Sequence, residues 1–112
     1  MLKQQQRLHL TADITAVYRR GKKIYHPLIR FLYLATQHPI ARVTVIVSYK
    51  VSPRATRRNL VKRRLRVALR LPLLHLVRPC DMIVIAQPAA RQASYQELAQ
   101  AVGQVFRQAK LV

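Results

Sequence analysis

Arg58-Asn59-Leu60-Val61-Lys62-Arg63-Arg64-Leu65-Arg66-Val67-Ala68-Leu69-Arg70-Leu71, residues 58–71, is the stretch on which the reading of this chain turns. At about 100° per residue, Val61, Leu65, Ala68 and Leu69 fall within an arc of ~100°, and Asn59, Lys62, Arg63, Arg66 and Arg70 fall within a similar arc on the opposite side. The period is that of an amphipathic helix, with one face for a core and the other a cationic ridge. Pro72 ends or kinks it. A merely solvated helix face mixes its signs, because like charges at i and i+4 destabilise a helix, and here Arg58/Lys62 and Lys62/Arg66 are such pairs. Arginine is favoured over lysine where phosphate is gripped in fork geometry. With Lys50, Arg54, Arg57 and Arg64 around it, the ridge points to the backbone of a nucleic acid.

Composition supports that reading. The chain has 112 residues, 21 of them Lys or Arg against 3 acidic residues, for a formal charge of +18. That length predicts a single domain, residues 1–112. A hydrophobic fraction of 51% is too high for a disordered basic tail. Self-repulsion at this charge disfavours a compact state without a polyanion nearby. An anionic membrane would call for one long basic amphipathic helix, whereas the apolar residues here also fill strand-like runs. The acids are Asp13, Asp81 and Glu97, and none lies between Ile14 and Cys80, so the ridge has no obvious carboxylate partners. Cys80 is the single cysteine, which suits a reducing cytoplasm. Residues 1–10 are polar, lack an apolar signal core and read as a loose basic arm. No apolar run approaches the ~18 residues of a membrane span.

Working outward from the ridge, Thr11 is a candidate helix cap with Asp13 in the first turn. Ile14, Val17 and Tyr18 make a helical stripe, and Gly21 closes a first helix over 12–20. Leu28–Ala35 and Arg42–Ser48 read as two strands joined through Gln37-His38-Pro39, and the expectation is an antiparallel hairpin. Residues 54–57 are too short to assign alone and suit a brief third strand. Residues 73–80 read as an apolar loop, Asp81–Ala86 as a buried strand stopped by Pro88. Ser94 and Glu97 form a capping box for a last helix over about 95–109, with Leu98, Val102, Val105 and Phe106 as its stripe. The fold class is therefore α+β: one small domain with a mixed or antiparallel sheet of about four strands, in the order α-β-β-(β)-α-β-α.

The ridge stretch 58–66, R-N-L-V-K-R-R-L-R, resembles the R-N-x-x-K-R-x-x-R signature of the protein subunit of bacterial ribonuclease P. Flanking features agree over nearly the whole chain from Leu8: Ile14-x-x-Val17-Tyr18-x-x-Gly21 in the first helix, Arg42-Val43 with Val47-Ser48-x-Lys50 in a strand, Ala55 ahead of the Arg-Asn pair, and Asp81-x-x-Val84-x-Ala86 in the last strand. The chain departs from the family's usual pattern at Val67, where Glu is usual, at Thr44, where Gly is common, at Tyr49, where Lys is usual, and at Ile14, where an aromatic is commonest.

The resemblance implies a function that composition does not. In that family a large RNA is the catalyst and removes the 5′ leader of precursor tRNA with Mg2+ held mainly by the RNA. The protein is then an accessory enzyme subunit with catalytic RNA and precursor tRNA as partners, in the cytoplasm, with no membrane and no small-molecule substrate. By the same implication Arg54, Arg57, Arg58, Asn59, Lys62, Arg63, Arg66 and Arg70 meet the catalytic RNA. Ile14, Tyr18, Phe31 or Tyr33, and Lys50 line a leader cleft between the first helix and the sheet. The family also implies a left-handed β-α-β crossover through the signature helix, against the general right-handed rule. Aromatic faces suit unpaired bases, at ~1–3 kcal/mol per stack; Phe31 is equally a core residue.

Other functions fit less well. A metal-dependent nuclease clusters carboxylates around its cations, and three acids on three elements do not. His9, His26, His38 and Cys80 lack metal-ligand spacing, so neither catalytic nor metal-binding residues are expected. A small ribosomal protein fits charge and size equally and is the alternative. A helix-turn-helix regulator needs a helix before the basic one, where this chain has strand-like sequence.

Overall fold

The computed structural model describes residues 6–112. Its elements are α1 (Thr11–Arg20), β1 (Lys22–Tyr25), β2 (Ile29–Ala35), β3 (Arg42–Ile46), α2 (Ala55–Leu74), β4 (Cys80–Ala86), a short 3-10 helix (Pro88–Gln92) and α3 (Tyr95–Gln108). The strands form one mixed sheet in the order β1-β2-β4-β3. β2 runs antiparallel to both β1 and β4, and β3 runs parallel to β4. The β3-α2-β4 unit is thus a parallel crossover built on the basic helix. It is the unit to which the resemblance assigns a left hand.

The expected hairpin between Leu28–Ala35 and Arg42–Ser48 does not form. Between those strands lies β4, C-D-M-I-V-I-A, which is buried along almost its whole length. A strand apolar on both faces gains most in the centre of a sheet, and it separates β2 from β3. The true hairpin partner of β2 is β1, Lys-Lys-Ile-Tyr, an edge strand whose exposed lysines hid it from a hydrophobic reading. β1, not residues 54–57, completes the set of four strands. Residues 55–57 are instead the first turn of α2.

Several boundaries also move. Pro72 lies inside α2, which runs on to Leu74, and the Pro72 carbonyl accepts from the His75 N–H at 3.0 Å. So near the helix end its missing N–H costs little of the ladder. Thr11 begins α1 rather than capping it; Leu10 holds the cap position without a side-chain bond. The backbone of Gly21 is extended, not left-handed (φ −69°). Glycine is needed there for proximity: a Cβ would collide with the Val17 carbonyl oxygen and lie 3.0 Å from that of Tyr33. The capping box of α3 forms as expected, Ser94 Oγ accepting from Glu97 N–H at 3.1 Å and Glu97 Oε1 from Ser94 N–H at 2.9 Å.

The sheet has two unequal sides. On one, Ile29, Phe31, Val43, Val45, Met82 and Val84 pack under α2 (Val61, Leu65, Leu69) and α3 (Leu98, Val102, Val105, Phe106). On the other, α1 covers a smaller cluster of Leu8, Val17, Leu32 and Ile83, flanked by half-buried Ile14, Leu34, Ile46 and Ile85. The loose arm expected at 1–10 is corrected in part. Arg7 bridges to Val43, the Leu8 N–H donates to the Val43 carbonyl at 2.9 Å, and Leu8 is 3% exposed. Residues 1–5 lie outside the described residues.

Candidate nucleic-acid interface

The ridge is where its periodicity puts it. Val61, Leu65, Ala68, Leu69 and Leu73 are buried, while Arg54, Arg57, Asn59, Arg63 and Arg70 are exposed and Arg58, Lys62 and Arg66 half-buried. No carboxylate answers these cations. Arg42 engages two of the three acids: its Nε and Nη2 donate to Asp81 at 2.9 and 2.7 Å, and its Nη1 donates to Asp13 at 3.2 Å. Glu97 is held by the capping box. Among the described residues every ion pair belongs to Arg42. Hydrogen bonding to Asp81, with the charges of Asp81 and Asp13 behind it, holds the Arg42 guanidinium above its ordinary value. Asp13 therefore does more than start a helix: it pins α1 to β3 and β4.

The start of α2 is shaped by the loop before it. Buried Ser52 accepts from Arg54 N–H at 3.2 Å through its hydroxyl and from Arg58 Nη1 at 3.0 Å through its carbonyl. The Arg58 guanidinium also lies over the ring of exposed Tyr49, 5.5 Å from its centroid. The first turn carries no acid and no side-chain cap, so its N–H groups add partial positive charge to Arg57 and Arg58. Further along, Arg66 shares a pocket of about 190 Å³ with Arg7, His9 and Thr44. The ridge thereby continues past β3 to the edge of the α1 side.

The expected leader-cleft residues do not all come together. Ile14 sits half-buried in the α1 cluster, and Tyr18 beside it is 40% exposed. Phe31 is 0% exposed and lies on the other side of the sheet, its ring 5.0 Å from Phe106 and 5.5 Å from Tyr33. Tyr33 shares that side, half-buried against the main core. Neither faces α1. Alternation along β2 puts Arg30, Leu32 and Leu34 there instead. Lys50 is exposed in the turn after β3.

A different set occupies the part of the α1 side that the helix leaves open. Tyr25, Arg30, Ile85 and Ile46 stand directly opposite one another across the whole sheet, β1 to β2 to β4 to β3. They lie one pleat beyond fully buried Leu32 and Ile83, and Ile85 and Ile46 are only half-buried. The Arg30 guanidinium sits 5.2 Å from the centroid of Tyr25, which is 67% exposed. This row joins an aromatic face, a guanidinium and an apolar floor. The aromatic residues of β2 drew attention away from it, although the alternation that places Arg30 was in the sequence.

No helix among the described residues is long and apolar enough to cross a membrane. Nor do they contain a cluster of three or more His, Cys, Asp or Glu able to hold a metal.

Comparisons with known proteins give the family. Residues 2–110 match the family model described as Ribonuclease P. The chain is 31% identical to the ribonuclease P protein component of a Cyanothece species, covering 100% of this chain and 98% of that protein. It is 46% identical to the corresponding protein of Thermus brockianus over 66% of this chain and 43% of that one. In fold it is similar to the RNase P protein of Staphylococcus aureus (TM-score 0.86, 23% identity, covering 95% and 96% of the two chains). It is similar likewise to that of Thermotoga maritima (TM-score 0.80, 21% identity, covering 91% and 96%). With a family model spanning nearly its full length and a relative of matching length above 30% identity, the chain belongs to the ribonuclease P protein family.

Proposed function

We propose that this protein, as the accessory subunit of the tRNA 5′-maturation endonuclease, grips the catalytic RNA with α2 and guides the precursor tRNA leader across the open part of the α1 side. The observation that carries the reading is the ridge itself: Arg54, Arg57, Arg58, Asn59, Lys62, Arg63, Arg66 and Arg70 reach solvent without a carboxylate partner among the described residues. Phosphate contacts of this kind supply affinity without sequence choice. Leader RNA differs between precursors, so its binding surface must tolerate any base. Tyr18 and the Tyr25–Arg30 pair offer stacking faces, which every base can use, and Lys50 adds charge at the same end of the sheet.

The chemistry belongs to the RNA in this reading. Asp13 and Asp81 both accept from Arg42, and Glu97 caps α3, so the chain offers no free carboxylate pair to Mg2+, which the catalytic RNA holds. The protein contributes position and charge, in the cytoplasm, where its lone thiol stays reduced. Reconstitution with a bacterial ribonuclease P RNA at low magnesium tests this. The protein is expected to raise cleavage of precursor tRNA several-fold, and no gain at any protein concentration would refute it. Co-purification with one RNA of several hundred nucleotides, rather than with ribosomal subunits, separates this function from that of a ribosomal protein.

A further inference from the structure

Arg57 stands at the margin of the ridge, but the other cations on its flank of α2 take no part in the reading above. Arg57 and Arg64 are seven residues apart and so lie along one line of the helix, across the buried stripe from Lys62 and Arg66. That line faces the 3-10 helix and the start of α3. There Arg57, Arg64 and Arg91, with Gln92, Ser94 and Glu97, line a pocket of about 540 Å³. α2 thus has two cationic flanks, with its core-facing stripe between them.

Bringing three guanidiniums to one pocket in a chain of charge +18 raises its electrostatic energy, and the fold does little to offset this. Among the described residues the Arg57 and Arg91 side chains make no hydrogen bond or ion pair, and the Arg64 side chain donates only to the Ala93 carbonyl at 3.2 Å. The one acid present, Glu97, is occupied by the Ser94 N–H at 2.9 Å. The lining has no aromatic side chain on which a base could stack. The recognised group is therefore an anion with several oxygens, not a nucleobase, and planar guanidiniums match phosphate in that role.

We infer that the Arg57–Arg64–Arg91 pocket holds phosphodiester groups of a second RNA segment, so that α2 is wedged between two backbones and does not merely rest on one. The inference rests on the RNA-binding function proposed above. The segment comes from the catalytic RNA or from the precursor tRNA; the phosphate chemistry is common to both.

Arg91→Ala and Arg91→Glu test it, because Arg91 is exposed, lies outside the signature helix and holds nothing else in place. Unchanged thermal unfolding of Arg91→Ala checks that the fold is intact. The full chain is titrated against a bacterial ribonuclease P RNA between 50 and 200 mM salt, with Arg63→Ala in parallel, and hydroxyl-radical footprints are taken. Precursor tRNA is then titrated against the assembled holoenzyme. Losing one phosphate contact flattens the log–log salt slope by about 0.7–0.9, so the affinity lost across that salt range shrinks by about 3-fold. Arg91→Glu is expected to bind more weakly still. The nucleotides that lose protection are expected to differ from those lost with Arg63→Ala. Changes confined to the catalytic RNA, or to precursor tRNA binding, identify the segment's source. Unchanged slopes and footprints with both RNAs would overturn the inference while leaving the ridge intact. If wild type and Arg63→Ala alike showed no salt-dependent complex, the underlying function would fall instead.

Discussion

Replacing Arg42 with Met removes one guanidinium that serves two carboxylates. Its bond to Asp81 is the buried half, with side chains 14% and 8% exposed and N–O distances of 2.7 and 2.9 Å. Asp13, at 3.2 Å with a side chain 33% exposed, is the wetter half. Breaking a buried pair by deleting one partner costs about 3–5 kcal/mol, because the remaining charge is left unpaired, whereas an exposed pair contributes about 0–1 kcal/mol. Asp81 is buried near the start of β4, an inner strand of the sheet, so the first figure governs. Against a total stability of about 5–15 kcal/mol for a domain, that is a large share. At roughly 4 °C per kcal/mol for this size, Tm is expected to fall by about 12–20 °C. Thermal unfolding followed by circular dichroism at fixed ionic strength measures it. The double variant Arg42→Met/Asp81→Leu removes the orphaned charge and is expected to recover most of the loss. A single-variant loss under about 1 kcal/mol, or a double variant no better than the single, would refute the reasoning.

Three further outcomes are expected. Gly21→Ala forces a Cβ into the Val17 carbonyl oxygen and should cost about 1–3 kcal/mol, as overpacking does; denaturant midpoints read it, and an unchanged midpoint counts against the close approach of α1 to β2. Burial pushes the Cys80 thiol up, so as pH rises through the ordinary thiol range the unfolded chain loses a proton that the native state keeps, and stability falls. Tm should therefore decline more steeply between pH 7.5 and 9.5 in the wild type than in Cys80→Ala, and parallel curves would dismiss the effect. Val67→Glu places a carboxylate one turn from Arg63 and should weaken RNA affinity about 2-fold, the size of one i,i+4 pair; equal affinity in filter binding would show that Val67 does not keep the ridge free.

How much was legible in advance follows from where the physical information lies. The ridge and the helix that carries it were readable because a 3.6-residue period fixes both faces at once, and Arg63, Asn59 and Arg70 are exposed as that period requires. The capping box was readable because its partners are three residues apart. Strand pairing was not, because it depends on which strand gains most from central burial. β4 displaced the expected hairpin, and β1, with two lysines among its four residues, carries almost no hydrophobic signal. That error carried into the site. Phe31 and Tyr33 suggested a cleft, but β2 turns them toward α2 and α3, and the open side receives Arg30. The role of Asp13 and Asp81 as joint partners of Arg42 links residues 29 and 39 positions away, which no local pattern reveals. The 3-10 helix that brings Arg91 to Arg57 and Arg64 was hidden for the same reason.

The account depends most on the outward face of α2 meeting an RNA backbone. The direct measurement is the salt dependence of binding to a bacterial ribonuclease P RNA for the wild type, Arg63→Ala and Arg66→Ala. Each substitution is expected to weaken binding at 50 mM salt and to flatten the log–log slope by about 0.7–0.9, one phosphate each. Wild-type slopes retained in both variants would contradict the account, since the guanidiniums would then be pointing at something other than phosphate.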